Sequence, residues 1–232
     1  MINRRSLMLA TVLGAAILAA LSAGSARAAD ECKGLRVCLP VAGPWVVIPA
    51  GGVDYELACP VQGYVVAGTD ARVATADVDV WFRGETGSPV GPGVTTRQSV
   101  VFHAARVPPK SATSSFRPFL GCIRTSGGGG RALTAYKASI KPSQVLFSVV
   151  VNSPIRGATK TVRATCPASA QLLGGSSAIA FRQAASPSEL QRGAVKVRRS
   201  TAGRAVIARV TATAAAGTHA EVQVRAVCAR FR

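Results

Sequence analysis

Asp77, Asp79 and Trp81 alternate along the run Ala76-Asp77-Val78-Asp79-Val80-Trp81. Period-two spacing predicts a strand that presents all three side chains on one face. Two carboxylates beside an indole are the parts of a sugar site, which stacks on the ring and hydrogen-bonds to the acids. Carboxylates are also the ligand type that calcium takes. With Glu56 added, paired carboxylates suit glycoside hydrolysis, which needs them roughly 5–10 Å apart across a cleft. The same pattern equally fits a solvated strand face carrying one partly buried aromatic.

A second group is cationic. Lys196, Arg198, Arg209 and Arg225 alternate with Val195, Val197, Val210 and Val224, so strand geometry sends the cations outward and the valines in. Residues 151–232 hold 13 Lys and Arg against only Glu189 and Glu221. A sheet face of that sign attracts anionic polymers by steering and counterion release. Outside a cell, such polymers are wall polymers, acidic glycans, phospholipid headgroups or stray nucleic acid. Composition offers a competing account: 22 arginines against 6 lysines in an alanine-rich chain is what GC-rich coding produces. Specific nucleic-acid recognition is not expected, because no basic helix, zinc finger or interleaved aromatics occur.

Nucleophilic and metal chemistry find little support. The only histidines are His103, in a strand-like context, and His219, in the turn-like Gly217-Thr218-His219. Neither belongs to a zinc-protease helix motif, and there is no Gly-x-Ser-x-Gly elbow. No Cys-x-x-Cys pair suggests a metal site, and no cofactor is expected. Gly127 to Gly130 are not followed by the Gly-Lys-Ser/Thr of a phosphate loop. The expectation is a non-enzymatic protein, with a secreted hydrolase using Glu56, Asp77 or Asp79 as the alternative.

The elements that must hold these side chains are β-strands. No apolar spacing of three and four is sustained over a dozen residues beyond the N-terminal segment. Short runs rich in valine and threonine recur instead, punctuated by Gly, Pro and Ser. Strands are predicted at Trp45–Pro49, Ser99–Ala105, Val145–Asn152 and Arg204–Thr213. Val195–Arg198 and Arg204–Thr213 read as a hairpin around Ser200-Thr201-Ala202-Gly203.

The cysteines set the larger plan. Cys59-Pro60 is followed by Ala67-Gly68, Phe82-Arg83 and Ser88-Pro89, and closes at Cys122. Cys166-Pro167 is followed by Gly174-Gly175, Phe181-Arg182 and Ser186-Pro187, and closes at Cys228. The near-equal separations read as one unit repeated, which pairs Cys59 with Cys122, Cys166 with Cys228, and the remaining Cys32 with Cys38. Alternation sends Tyr55, Leu57 and Cys59 inward, and likewise Val222, Val224, Ala226 and Cys228. Each bridge is therefore expected inside a β-sandwich. Four consecutive glycines are entropically costly in a strand, so 126–142 reads as a linker between repeats at 29–125 and 143–232.

The cysteine spacing between two strands resembles that of an immunoglobulin-like sandwich. Trp81 lies late for the core tryptophan of that fold, the second repeat has none, and no tyrosine stands two residues before either closing cysteine. The Cys-Pro…Gly-Gly…Cys repeat is also similar to uncharacterised exported proteins of actinomycete-type bacteria, a resemblance that implies no activity.

Residues 1–28 read as an export signal: Arg4-Arg5, an apolar run from Leu7 to about Leu21, and the small-residue site Ala26-Arg27-Ala28. Arg4-Arg5-Ser6-Leu7-Met8 also loosely matches a twin-arginine signal, but a disulfide framework favours the ordinary secretory route. The full chain carries 28 basic and 10 acidic side chains. Removing the signal takes three arginines and no acid, which leaves +15. The sequence thus predicts a secreted or wall-associated, all-β, two-repeat protein with peripheral envelope association through a basic face.

Overall fold

The computed structural model describes residues 38–61, 63–83, 98–108, 113–124 and 144–231. The expected signal at 1–28, Cys32, Ser88-Pro89 and the expected linker at 126–142 lie outside the described residues.

The chain is all-β and antiparallel. Its strands are β1 (Leu39–Ala42), β2 (Trp45–Ile48), β3 (Val53–Ala58), β4 (Tyr64–Val73), β5 (Val78–Arg83), β6 (Ser99–Arg106) and β7 (Ser114–Arg124) in the first half. The second half supplies β8 (Gln144–Pro154), β9 (Thr159–Thr165), β10 (Gln171–Phe181), β11 (Val195–Ala202), β12 (Ala205–Ala212) and β13 (Ala220–Phe231). Among the described residues, one short α-helix, α1 (Glu189–Gly193), is closed by a capping box from Ser188 and Gln191. The predicted hairpin forms, with a longer first strand than the sequence suggested and a second strand one residue shorter at each end. Its ladder runs to Ala202 opposite Ala205, and Gly203 takes the positive φ of the turn.

The two halves are wired alike. In each, an edge strand of a three-stranded sheet leads to the opening cysteine, and that sheet runs β3-β6-β5 or β9-β12-β11. In each, a second ladder joins β4 to β7 or β10 to β13. Both second ladders carry an irregularity at the same place, just after Val66 opposite Cys122 and just after Leu172 opposite Cys228. The bridges Cys59–Cys122 and Cys166–Cys228 form as expected and tie the small sheet of each half to the large one. Cys38 is disulfide-bonded as well.

Two expectations need correction. The Phe-Arg pairs are not counterparts: Phe82 lies on β5, whose equivalent is β11, whereas Phe181 ends β10. Nor do the halves form separate sandwiches. A single seven-stranded sheet runs through both, because β2 pairs with β7 on one side and with β10 on the other. These strands are buried on both faces. Val46, Ile48, Ala178 and Ala180 enter the core under β3-β6-β5, while Val47, Ile179 and Phe181 enter the core under β9-β12-β11. Alternate residues of a strand point to opposite faces, so the two small sheets cover opposite faces of the shared sheet. Gly175 is required at this crowded point, since a Cβ there would run into the Arg225 carbonyl and Val206.

Candidate functional site

The outer faces of the two small sheets carry the chemistry. On β9-β12-β11, ladder register places Thr161, Arg209 and Arg198 in one row across the sheet. The neighbouring rows hold Thr159, Thr211 and Lys196, and Arg163, Ile207 and Ser200. Lys196, Arg198, Arg209 and Arg163 are all exposed. Hydrophobic partners on the other face (Val162, Val206, Ala208 and Val210) are buried, which is the alternation that fixes the cations outward. Arg163 donates from Nε to Thr165 Oγ1 at 3.2 Å. Among the described residues, none of these four cations is in an ion pair. The half contributes just two acids, and Glu221 is buried on β13 against Arg182 at 2.5 Å.

Three of the four sequence-predicted cations therefore share this face, and Arg225 does not. Alternation places Arg225 opposite Val224, as expected, but the face it occupies is covered by β3 of the first half. Its Nε donates to Glu56 Oε2 at 2.8 Å and to Ser148 Oγ at 3.0 Å, and both charged side chains are nearly enclosed. Arg163 takes its place on the basic face. It sits two residues from each of Thr161 and Thr165 on β9, a signal visible in the sequence once β9 is recognised as pairing with β12.

On β3-β6-β5, the equivalent row is Asp54, His103 and Trp81. Five residues before the opening cysteine stands Asp54 in one half and Thr161 in the other. His103 corresponds to Arg209, Trp81 to Arg198, and Asp79 to Lys196. His103 Nδ1 lies 2.5 Å from Asp54 Oδ1, and the Trp81 and His103 rings are 4.2 Å apart between centroids. Trp81 is 43 % exposed and Asp79 is exposed as well.

The predicted acid group is only partly assembled. Asp77 falls in the turn before β5, not on its face, and is held by Arg106. Glu56 has both oxygens engaged, Oε1 by Ser99 Oγ at 2.7 Å and Oε2 by Arg225. Neither meets Asp79 across a cleft, so the pair that glycoside hydrolysis requires is not brought together. Asp79 and Trp81 do share a face, joined by Asp54 and His103, which sequence spacing could not connect because they come from three strands. Among the described residues no group of three or more His, Cys, Asp or Glu is placed to hold a metal ion, and no helix is long and apolar enough to cross a membrane.

In comparisons with family models, curated proteins and solved structures, nothing matches this chain.

Proposed function

We propose that the chain is an exported, non-enzymatic binding protein whose second half associates with anionic envelope or extracellular polymers. Residues 1–28 would direct export, and two disulfides suit an oxidising compartment. The observation that carries the reading is the outer face of β9-β12-β11, where Lys196, Arg198, Arg209 and Arg163 stand exposed without a carboxylate among them. Arg198 lies directly across the ladder from Arg209. Like charges in that position oppose folding, so an external anion that neutralises both gains on binding. The threonines between them add hydroxyl donors for phosphate, sulfate or carboxylate oxygens.

The reaction is association, mainly electrostatic and therefore screened by salt. Retention of the mature chain on isolated anionic envelope polymer tests it. Binding should weaken steeply from about 0.1 M salt, where the screening length is about 10 Å, to about 1 M, where it is about 3 Å. It should fall further in the Arg198→Thr, Arg209→Thr double variant. Retention that ignores both salt and these substitutions overturns the reading.

A further inference from the structure

We infer that the outer face of β3-β6-β5 is a binding subsite for a neutral sugar ring, built from Trp81, His103, Asp54 and Asp79. The inference is independent of the basic face: the two small sheets lie on opposite sides of the shared sheet, so the two sites point away from one another.

The platform is Trp81. An indole left 43 % exposed on a sheet face offers a flat apolar surface, and a pyranose presents an apolar C–H face of matching size. The ring is also held in place. His103 packs against one side of it, and Asp54 Oδ1 holds the imidazole by a hydrogen bond with Nδ1, which fixes the ring. Gly52 lies beside the imidazole: a Cβ there would stand 3.1 Å from the Ala104 carbonyl oxygen and 3.5 Å from His103 Nε2. Asp79 is two residues before Trp81 on the same face, about 7 Å along the strand. An imidazole on one side of the platform and a carboxylate on another suit a polyol, whose hydroxyls both donate and accept. Asp54 and Asp79 together disfavour an anionic ligand, which separates this subsite from the basic face.

The experiment uses tryptophan emission of the mature chain. Trp45 is buried and donates to the Ala184 carbonyl, so Trp81 is the solvent-facing reporter of the two. Soluble neutral probes (cellohexaose, chitohexaose and a linear mannan) are titrated, with choline chloride as the cationic arm. A saturable emission change is expected with at least one neutral saccharide. Binding, read by calorimetry where the reporter itself is replaced, should vanish in Trp81→Ala, and the emission change should weaken at least tenfold in Asp79→Ala and in His103→Ala while persisting at high salt and in the Arg198→Thr, Arg209→Thr variant. Trp81→Phe, which keeps a smaller platform, should retain weak binding, read by calorimetry. No response to any saccharide, a response to choline alone, or binding that survives Trp81→Ala overturns the inference. Loss of saccharide binding in the arginine variant would overturn it too, because the site would then be the basic face.

Discussion

The side-chain amide of Gln223 closes the free edge of β3 by bonding both backbone groups of Glu56. Its Oε1 accepts from the Glu56 N–H at 2.7 Å, and its Nε2 donates to the Glu56 carbonyl at 2.8 Å. Nε2 also reaches Asn152 Oδ1 at 2.9 Å. A primary amide offers the same donor and acceptor as a peptide unit, so Gln223 stands in for a neighbouring strand. It is 1 % exposed and lies on β13, so the bond joins the second half to the first. Gln223→Ala leaves a buried N–H and C=O without partners, which costs about 1–3 kcal/mol. The measurement is urea unfolding of the mature chain. Gln223→Glu should be worse than Gln223→Ala, because it removes the donor and sets a carboxylate near that of Glu56.

Arg225 belongs to the same seam and makes a separate prediction. Its side chain is 13 % exposed and that of Glu56 is 11 % exposed. Arg225→Ala strands a nearly enclosed carboxylate, and breaking one side of such a pair costs about 3–5 kcal/mol. Arg225→Met with Glu56→Gln should recover much of the loss, since both charges are then gone. The folded double variant should keep polymer retention and its salt dependence unchanged. A drop in retention there would return Arg225 to the binding face.

How much of this was legible in the sequence depends on the range of the signal. Cysteine spacing and period-two alternation located most of the strands, though not β1, β4 or β10, together with the two bridges and the outward cations Lys196, Arg198 and Arg209, because those signals are local to one or two strands. Alternation also put Arg225 correctly opposite Val224, but it cannot say whether the far side is water or another sheet. The four apolar residues Trp45 to Ile48 and the run Ala178 to Phe181 did carry that information. A strand with no polar alternation is one covered on both faces, and these are the strands that both halves share. The bond between Asp54 and His103 was out of reach, since it depends on the register of β3 against β6 across 49 residues.

The Arg198 and Arg209 pair opposes stability and serves binding, so one substitution should move the two in opposite directions. Arg209→Thr removes a like-charge contact directly across the ladder and places a strand-favouring residue there. Thermal unfolding should show a gain of about 0.2–1 kcal/mol, while affinity for the anionic polymer and its salt sensitivity both decline. An exposed arginine with no ligand role would give the first effect without the second.

Tyr55 ties the seam to alkaline pH. Its phenol is buried within the first core, and burial is the main cause that pushes its ionisation well above the usual tyrosine range. The nearby Glu221 carboxylate adds to the shift, and Arg182 partly opposes it. The sign follows from linkage. Below about pH 10 the phenol is protonated in both folded and unfolded chains, so its contribution is fully present. Above that, the unfolded chain releases the proton and the folded chain does not. Stability then falls by up to about 1.4 kcal/mol per pH unit until the folded-state ionisation is reached. Denaturant midpoints measured from neutral pH upward should therefore decline from about pH 10 in the native chain. Tyr55→Phe should remove that part of the decline while losing the hydroxyl at neutral pH. Equal alkaline slopes in the two proteins would show that Tyr55 ionises as freely folded as unfolded, and that Glu221 does not face it.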